Sequence, residues 1–408
     1  MADQAYVTRG EQMLALRRAR EASSHPFFRG GFRPFFLGGP LWAVVALALW
    51  LGWLSGLVTL PAAVDPLAWH RHEMLFGFVG AAIAGFLLTA IPNWTGRLPI
   101  AGSPLAALFA LWIAGRLALL FSSVVGLGAA AVLDVGFFAV VGGVAAREIL
   151  ACGNRRNLPV VAMVCAFAAA NLLDYLGFSA VIAPDLGWRL ALAIIILLIS
   201  LIGGRIIPSF TRNWMAKQRI AGALPTQPDR FDVAVLLLTA VSLLAWIADG
   251  GAFAGAPLLL ASAFQAARLA RWRGMRTWPD PLVWILHIGY AWVPVGLALL
   301  GLADLALAPR SAAIHALSAG AMTTMILAVM SRASLGHTGR ELKAVPLVTV
   351  AYGLVTLGAV LRVSASLQWL PYDVGLRLGG LAWGGALLLY AVVYAPILWR
   401  PRVARAEG

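Results

Sequence analysis

The chain consists of long apolar runs separated by short breaks that are charged or rich in Pro and Gly. A helix needs about 20 mainly apolar residues to cross the ~30 Å hydrocarbon core of a bilayer. Twelve runs approach that length, and only one break, residues 212–230, is long. We predict transmembrane helices near residues 36–58, 67–93, 103–122, 124–150, 158–182, 187–208, 231–249, 252–272, 282–304, 311–332, 345–366 and 374–398. The pattern predicts an all-α, polytopic integral membrane protein.

The composition excludes an ordinary soluble protein. Of the 408 residues, 61% are hydrophobic and 12% are charged, whereas a soluble domain carries about 25% charged residues. The 16 Trp residues fit a membrane protein, because indole rings collect at both membrane interfaces. The net charge of +14 could suggest nucleic-acid binding, but no soluble segment is long enough for that. The lipid bilayer is therefore the expected partner.

The sequence predicts a single domain with short terminal segments. We predict a basic cytoplasmic N-terminal segment (1–35), one membrane domain (36–398) and a cytoplasmic tail (399–408). The N-terminal segment has no apolar core or small-residue cleavage site, so no signal peptide is expected. Cys152 and Cys165 have no CxxC partner and are read as ordinary small side chains.

The Lys and Arg residues predict the orientation. Cytoplasmic segments of membrane proteins carry an excess of Lys and Arg. With the N-terminus inside, 25 of the 31 Lys and Arg residues fall in the inner segments. The other six are Arg71, Arg116, Arg189, Arg310, Arg362 and Arg377. Both termini are therefore expected in the cytoplasm.

Three of the predicted helices share a sequence frame, as the units of a repeat do. Helices 2 and 10 align without a gap. The aligned pairs are His72 with His315, Gly77 with Gly320, Ile83 with Ile326, and 95–97 (TGR) with 338–340. Helix 6 fits the same frame, with Ile199 at the position of Ile83 and Trp188 in place of the histidine. A step of four helices predicts three four-helix arcs around a pseudo-threefold axis.

The histidines at the outer ends of helices 2 and 10 are the main candidates for a metal site. A histidine within a membrane helix is costly and suggests function, and imidazole is the commonest side-chain metal ligand. His72 and His315 share a frame and a depth, which would suit two axial ligands of one haem iron. The alternative is that each histidine simply hydrogen-bonds to a neighbouring helix or to lipid headgroups.

Three other histidines are weaker metal candidates. His70 is two residues from His72 on the same helix and points about 200° away from it. It could bind a second metal, touch a haem edge or face headgroups. Towards the inner side, His287 and His337 could form another site, or be a core histidine and a loop residue.

Intramembrane charges cluster in the same outer half of the predicted helices. They are Arg71, Glu73, Arg116, Asp134, Asp174 and Arg362. Arg is the usual bidentate partner of carboxylates, so Arg71, Arg116 and Arg362 are candidates for binding haem propionates. The equal alternative for Arg116 is a structural ion pair with Asp134.

Long motifs closely resemble the NnrS family over nearly the whole chain. The motifs are FRPFFL (32–37), WHRHEMLFGF (69–78), GFLLTAIPNWTGR (85–97), RIIPSFTRNW (205–214), HIGYAWVPVG (287–296) and SRASLGHTGR (331–340). The resemblance implies a haem- and copper-containing membrane protein of denitrifying and other bacteria, linked to the nitric oxide response and to protection from nitrosative stress. It implies no assigned reaction and no agreed ligand set.

A weaker, architectural resemblance is to the catalytic subunit of haem-copper oxidases. That subunit has twelve helices in three arcs and holds its low-spin haem between helices 2 and 10. Its copper is held by histidines on helices 6 and 7, which have none here. The resemblance therefore implies haem, expected to be of b type, but not a haem-copper pair. Any copper must bind elsewhere.

The expected function is a haem protein that meets nitric oxide within the membrane, with an electron donor that the sequence does not identify. The alternative is a transporter or metal exporter, since intramembrane His and Asp residues also line ion pathways. A transporter predicts polar residues along a path across the membrane, whereas here they cluster in the outer half.

Overall fold

A computed structural model describes residue 15, residues 24–248 and residues 251–403. Residues 1–14 and 16–23 of the predicted N-terminal segment and residues 404–408 of the predicted tail lie outside this description. The described chain contains no strand, and twelve of its helices are long and apolar enough to cross a membrane. In order they are α1 (Phe32–Leu54), α2 (Pro66–Thr95), α3 (Ser103–Leu120), α4 (Leu127–Ala151), α5 (Leu158–Phe178), α6 (Leu186–Lys217), α7 (Arg230–Ile247), α8 (Ala252–Ala270), α9 (Pro281–Asp304), α10 (Arg310–His337), α11 (Pro346–Ser366) and α12 (Tyr372–Trp399). The prediction of a multi-pass, all-α membrane protein is confirmed.

The helices pack in three arcs of four. Neighbours in the chain pack side by side within α3–α6 and within α7–α10, and α11, α12, α1 and α2 form the third arc because α12 packs against α1. The buried fraction is highest in α2 and α10, which, together with α6, lie at the centre. We call the end of the bundle at which α2 and α10 begin the outer end, and the opposite end the inner end.

The repeat is visible in the backbone of α2 and α10. Directly after His72, residues 73–79 form a π-helical segment, and directly after His315, residues 316–322 form another. These two segments coincide in the ungapped alignment of the two helices. A π-helical segment is rare and often marks a functional region, so the same irregularity at matched positions supports common ancestry of the two units.

Residues in the middle and at the end of the repeated helices also agree between the copies. Ile83, Ile199 and Ile326 line one apolar cavity between α2, α6 and α10, as three positions related by a threefold axis should. In addition, the repeated TGR motif ends a helix in both copies. Gly96 and Gly339 have φ angles of 68° and 75°, a left-handed conformation that glycine adopts without strain.

Four predicted helices differ from the structure by four or more residues at an end. Helix α5 ends at Phe178 rather than at residue 182, and α10 ends at His337 rather than at residue 332. The apolar pattern placed the end of helix 6 at residue 208, but α6 continues to Lys217. In the repeat alignment, Arg212 of α6 occupies the position of Gly96. Helix α6 therefore lacks the glycine that ends α2, and it continues past this position. Helix α1 runs from Phe32 to Leu54 rather than over 36–58, because the buried FRPFF segment is already helical.

Candidate functional site

His72, on α2, lies in a buried cluster of charged residues that faces the α3–α6 arc. Its side chain is 0% exposed, and its two ring nitrogens each lie 2.8 Å from a carboxylate oxygen, Nε2 from Asp134 on α4 and Nδ1 from Asp174 on α5. Carboxylates accept hydrogen bonds, so the two contacts are satisfied together by an imidazolium, which donates from both nitrogens. In this arrangement His72 has no free lone pair for a metal.

Arg116 completes this cluster from α3. Its guanidinium donates to Oε2 of Glu73 at 3.0 Å and forms a close ion pair with Asp134. The Trp42 indole also donates to Glu73, at 2.5 Å. Arg116 is 1% exposed, and the alternative of a structural ion pair with Asp134 is therefore confirmed by these contacts.

Further polar groups surround Asp134. Its Oδ2 accepts hydrogen bonds from the Asn171 amide at 3.1 Å and from the Tyr175 hydroxyl at 3.3 Å, both on α5. Buried carboxylates require such donors, because an unpaired buried charge is very costly. We call His72, Glu73, Arg116, Asp134 and Asp174 the charge cluster. It ties α2, α3, α4 and α5 together at the outer end.

Arg71 connects the first repeat unit to the second. Its guanidinium lies 3.5 Å from a carboxylate oxygen of Asp185 and 4.7 Å from the centre of the Trp188 ring on α6. Trp188 is the residue that replaces the histidine in the repeat frame. A stacked Arg–Trp pair is a favourable cation–π contact, so Arg71 serves as a partner of α6.

His70 and His315 lie where α10 meets the arc formed by α11, α12, α1 and α2. His70 and His315 are close enough to interact electrostatically, and Arg362 on α11 interacts with both. The His70 ring stacks on the Trp50 ring of α1, with centroids 4.8 Å apart and planes 12° apart. We call His70, His315, Arg362 and Trp50 the histidine pair site. Its members come from α1, α2, α10 and α11.

Both histidines of this site have ring nitrogens suited to binding a metal. The buried Nδ1 of His70 has no hydrogen-bond partner within the described chain. The Nδ1 of His315 lies 2.6 Å from the backbone carbonyl oxygen of Ser311, one helical turn earlier. That bond places the proton on Nδ1 and leaves the lone pair of Nε2 for a metal, which is the arrangement usual for ligating histidines.

Arg362 is held within reach of the same site. Its guanidinium donates to the Ser366 hydroxyl at 2.8 Å and to the Tyr372 hydroxyl at 3.2 Å. Neither partner is a carboxylate, and within the described chain no ion pair with Arg362 is found, so its charge is available to an anionic group of a ligand. A haem propionate is an example of such a group.

The threefold arrangement explains why His72 and His315 do not face each other. Repeat-equivalent residues are turned around the axis, so each points into a different arc. His72 points towards α4 and α5, Trp188 towards Trp246 on α7, and His315 towards α11. The face of α2 opposite His72 packs in the arc formed by α11, α12, α1 and α2. His70 lies on that face and is therefore the residue near His315. The opposite directions of His70 and His72 follow from their two-residue spacing.

The two inner histidines lie against different helices. His287 on α9 is buried, with its Nε2 2.8 Å from the Thr211 hydroxyl of α6, and its buried Nδ1 has no partner within the described chain. His337 is exposed at the end of α10, and its ring lies 5.4 Å from that of Phe32. Among the residues that the structure describes, no group of three or more His, Cys, Asp or Glu could hold a metal ion.

Sequence reasoning missed several members of these sites. Trp42, Trp50, Asn171, Tyr175 and Ser311 all contact a candidate residue. Only Ser311 carried a usable signal, because residue i−4 of a helical histidine presents its carbonyl to that side chain. The others depend on contacts between helices that are distant in sequence.

A family model described as NnrS protein matches residues 26–402, which is nearly the whole chain. No curated protein matches closely enough to count as a relative.

Proposed function

Because this chain belongs to the NnrS family, we propose that it is a haem protein of the bacterial inner membrane that acts in the nitric oxide response. In this role it protects the cell from nitrosative stress, including that which accompanies denitrification. Nitric oxide, a small apolar molecule that dissolves in lipid, is the proposed ligand. The observation that carries the proposal is the histidine pair site at the outer end.

We assign the haem to His70 and His315, with Arg362 as the partner of a propionate. This assignment departs from the sequence-based pair of His72 and His315, since both nitrogens of His72 contact carboxylates. Arg116 is also assigned a structural role, because Glu73 and Asp134 occupy its guanidinium. Arg71 keeps its position against α6 and is not assigned to a propionate.

The two histidines proposed to bind the haem iron are held in place by different contacts. His315 is fixed by its hydrogen bond to the Ser311 carbonyl, whereas His70 is held by stacking on Trp50. When bound, haem supplies an iron centre that can bind nitric oxide and carry an electron. Of the two histidines that would hold the haem, His70 has the weaker anchor and would be the more easily displaced by an added ligand.

The assignment of copper rests on the family resemblance alone. His287 is the strongest single candidate on the inner side, because its buried Nδ1 has no partner within the described chain. His337 lies against Phe32 and is exposed. Metal analysis of the purified wild type, His287→Ala and His337→Ala tests both residues. A copper content unchanged in both variants excludes them.

The absorption spectrum of the purified protein tests the proposed function. After expression with adequate haem supply, we expect a Soret band, and we expect it to shift when nitric oxide is added to the reduced protein. A monodisperse wild-type protein without a Soret band would overturn the proposal.

The predicted orientation can be tested through Cys152. Its thiol is exposed at the inner end of α4, where the Lys and Arg distribution predicts cytoplasm. With Cys165 replaced by Ser, a membrane-impermeant maleimide should label Cys152 in inside-out vesicles but not in intact spheroplasts. The matched control carries Ser123→Cys in a Cys152→Ser background, since Ser123 is exposed at the outer end. It should show the reverse pattern, and equal labelling of both cysteines from one side would contradict the topology.

A further inference from the structure

A cavity of about 110 Å³ lies at the centre of the bundle, between α2, α6 and α10. Most of its wall is built from sets of three residues that are equivalent in the repeat frame. The sets are Ala82, Leu198 and Met325; Ile83, Ile199 and Ile326; Phe86, Ile202 and Val329; and Leu87, Gly203 and Met330. The remaining wall residues, from α1, α2, α5 and α6, are Phe36, Val79, Val160, Val164, Ile195 and Ile206. The cavity therefore lies on the pseudo-threefold axis.

Every residue that lines this cavity is apolar. A buried water needs two to four polar partners, and none of these side chains offers one. An engineered cavity of roughly 150 Å³ lined by Leu, Ile and Phe stays dry and binds benzene or xenon. The present cavity has a similar apolar lining and is somewhat smaller, but it is open on part of its boundary. It has room for one small apolar molecule and no group that would bind a polar one.

The cavity is separate from the histidine pair site. Ile83 is 13 residues after His70 in α2, which corresponds to about 20 Å along a helix axis at 1.5 Å per residue. Its depth also places it within the hydrocarbon region, because Ile83 lies near the middle of the membrane span Pro66–Thr95. An apolar gas dissolved in lipid is therefore present at the depth at which the cavity lies.

We propose that this central cavity is a binding site for a small apolar molecule of the size of a diatomic gas. Its wall offers no hydrogen bond to water and no counter-charge to an ion, and its volume limits the size of the molecule that it can hold. The site is independent of haem and lies apart from the histidine pair site. The inference therefore goes beyond the proposed haem function and does not rest on it.

Xenon is the probe that tests this inference. Crystals of the full-length protein pressurised with xenon should show an anomalous peak between Ile83, Ile199 and Ile326. Ile199→Phe adds a ring to the cavity wall from α6, and Val329→Phe does so from α10. We expect either variant to lose the peak.

Ile113→Phe is the matched control, because Ile113 on α3 is 38% exposed and lies away from the cavity. This variant should keep the xenon peak. The proposal is overturned if wild-type crystals show no xenon in the cavity, if the peak persists in both cavity variants, or if an ordered acyl chain fills the cavity. The Soret band, measured on the same samples, reports the haem site separately, and we expect it to be unchanged in all three variants.

Discussion

Replacing Arg116 with methionine is expected to destabilise the protein by about 3–5 kcal/mol, the cost of removing one partner from a buried ion pair. The Arg116 side chain is 1% exposed and contacts Glu73 and Asp134. The charge cluster contains three carboxylates, and Arg116 and an imidazolium at His72 are its internal cations. Without Arg116, two buried carboxylates lose their main counter-charge, while methionine fills a similar volume and leaves little cavity.

The effect should appear as a lower melting temperature of the detergent-solubilised protein and a lower yield of monodisperse protein. Arg377→Met is the matched control, since Arg377 is exposed near the outer end of α12 and should tolerate the same change. Adding Asp134→Asn to Arg116→Met removes one of the unpaired charges and should recover part of the lost stability. If Arg116→Met melts at the temperature of Arg377→Met, the charge cluster does not have the structural role assigned here.

Much of the fold follows from local sequence. The apolar runs locate all twelve helices, and Asp65 followed by Pro66 marks the start of α2, where the Asp65 side chain accepts hydrogen bonds from the amides of Leu67 and Ala68. The repeat frame identified Ile83, Ile199 and Ile326 as equivalent, and they meet at one cavity. Each of these features depends on residues close in sequence or on a comparison of the chain with itself.

The pairing of the histidines could not be derived in this way. The repeat frame gives His72 and His315 the same depth, but it does not state the direction in which each points across the axis. That direction depends on how the helices of the three arcs pack together. The third arc forms only when α12 packs against α1, far away in the sequence. The polar partners of His72 on α4 and α5 likewise become visible only in the folded bundle.

The histidine assignment leads to the second large effect, on haem content. We expect the double variant His70→Ala/His315→Ala to lose the Soret band completely. Each single variant should lose haem or change to a five-coordinate spectrum, and the change should be larger for His315→Ala because Ser311 fixes that side chain. The measurement is haem per protein on the monodisperse fraction, so that unfolded material does not contribute.

His72→Gln distinguishes this assignment from the pair of His72 and His315. Glutamine can still donate to one carboxylate of the charge cluster but is a poor haem ligand. Folded His72→Gln protein should therefore keep the wild-type Soret band, although with lower thermal stability because one buried carboxylate loses its donor. His25→Ala, at an exposed position near the inner end, is the control for loss of a histidine that lies away from both candidate sites. A Soret band lost in His72→Gln but kept in His70→Ala would restore the sequence-based pair and require His72 to leave its two carboxylates when haem binds.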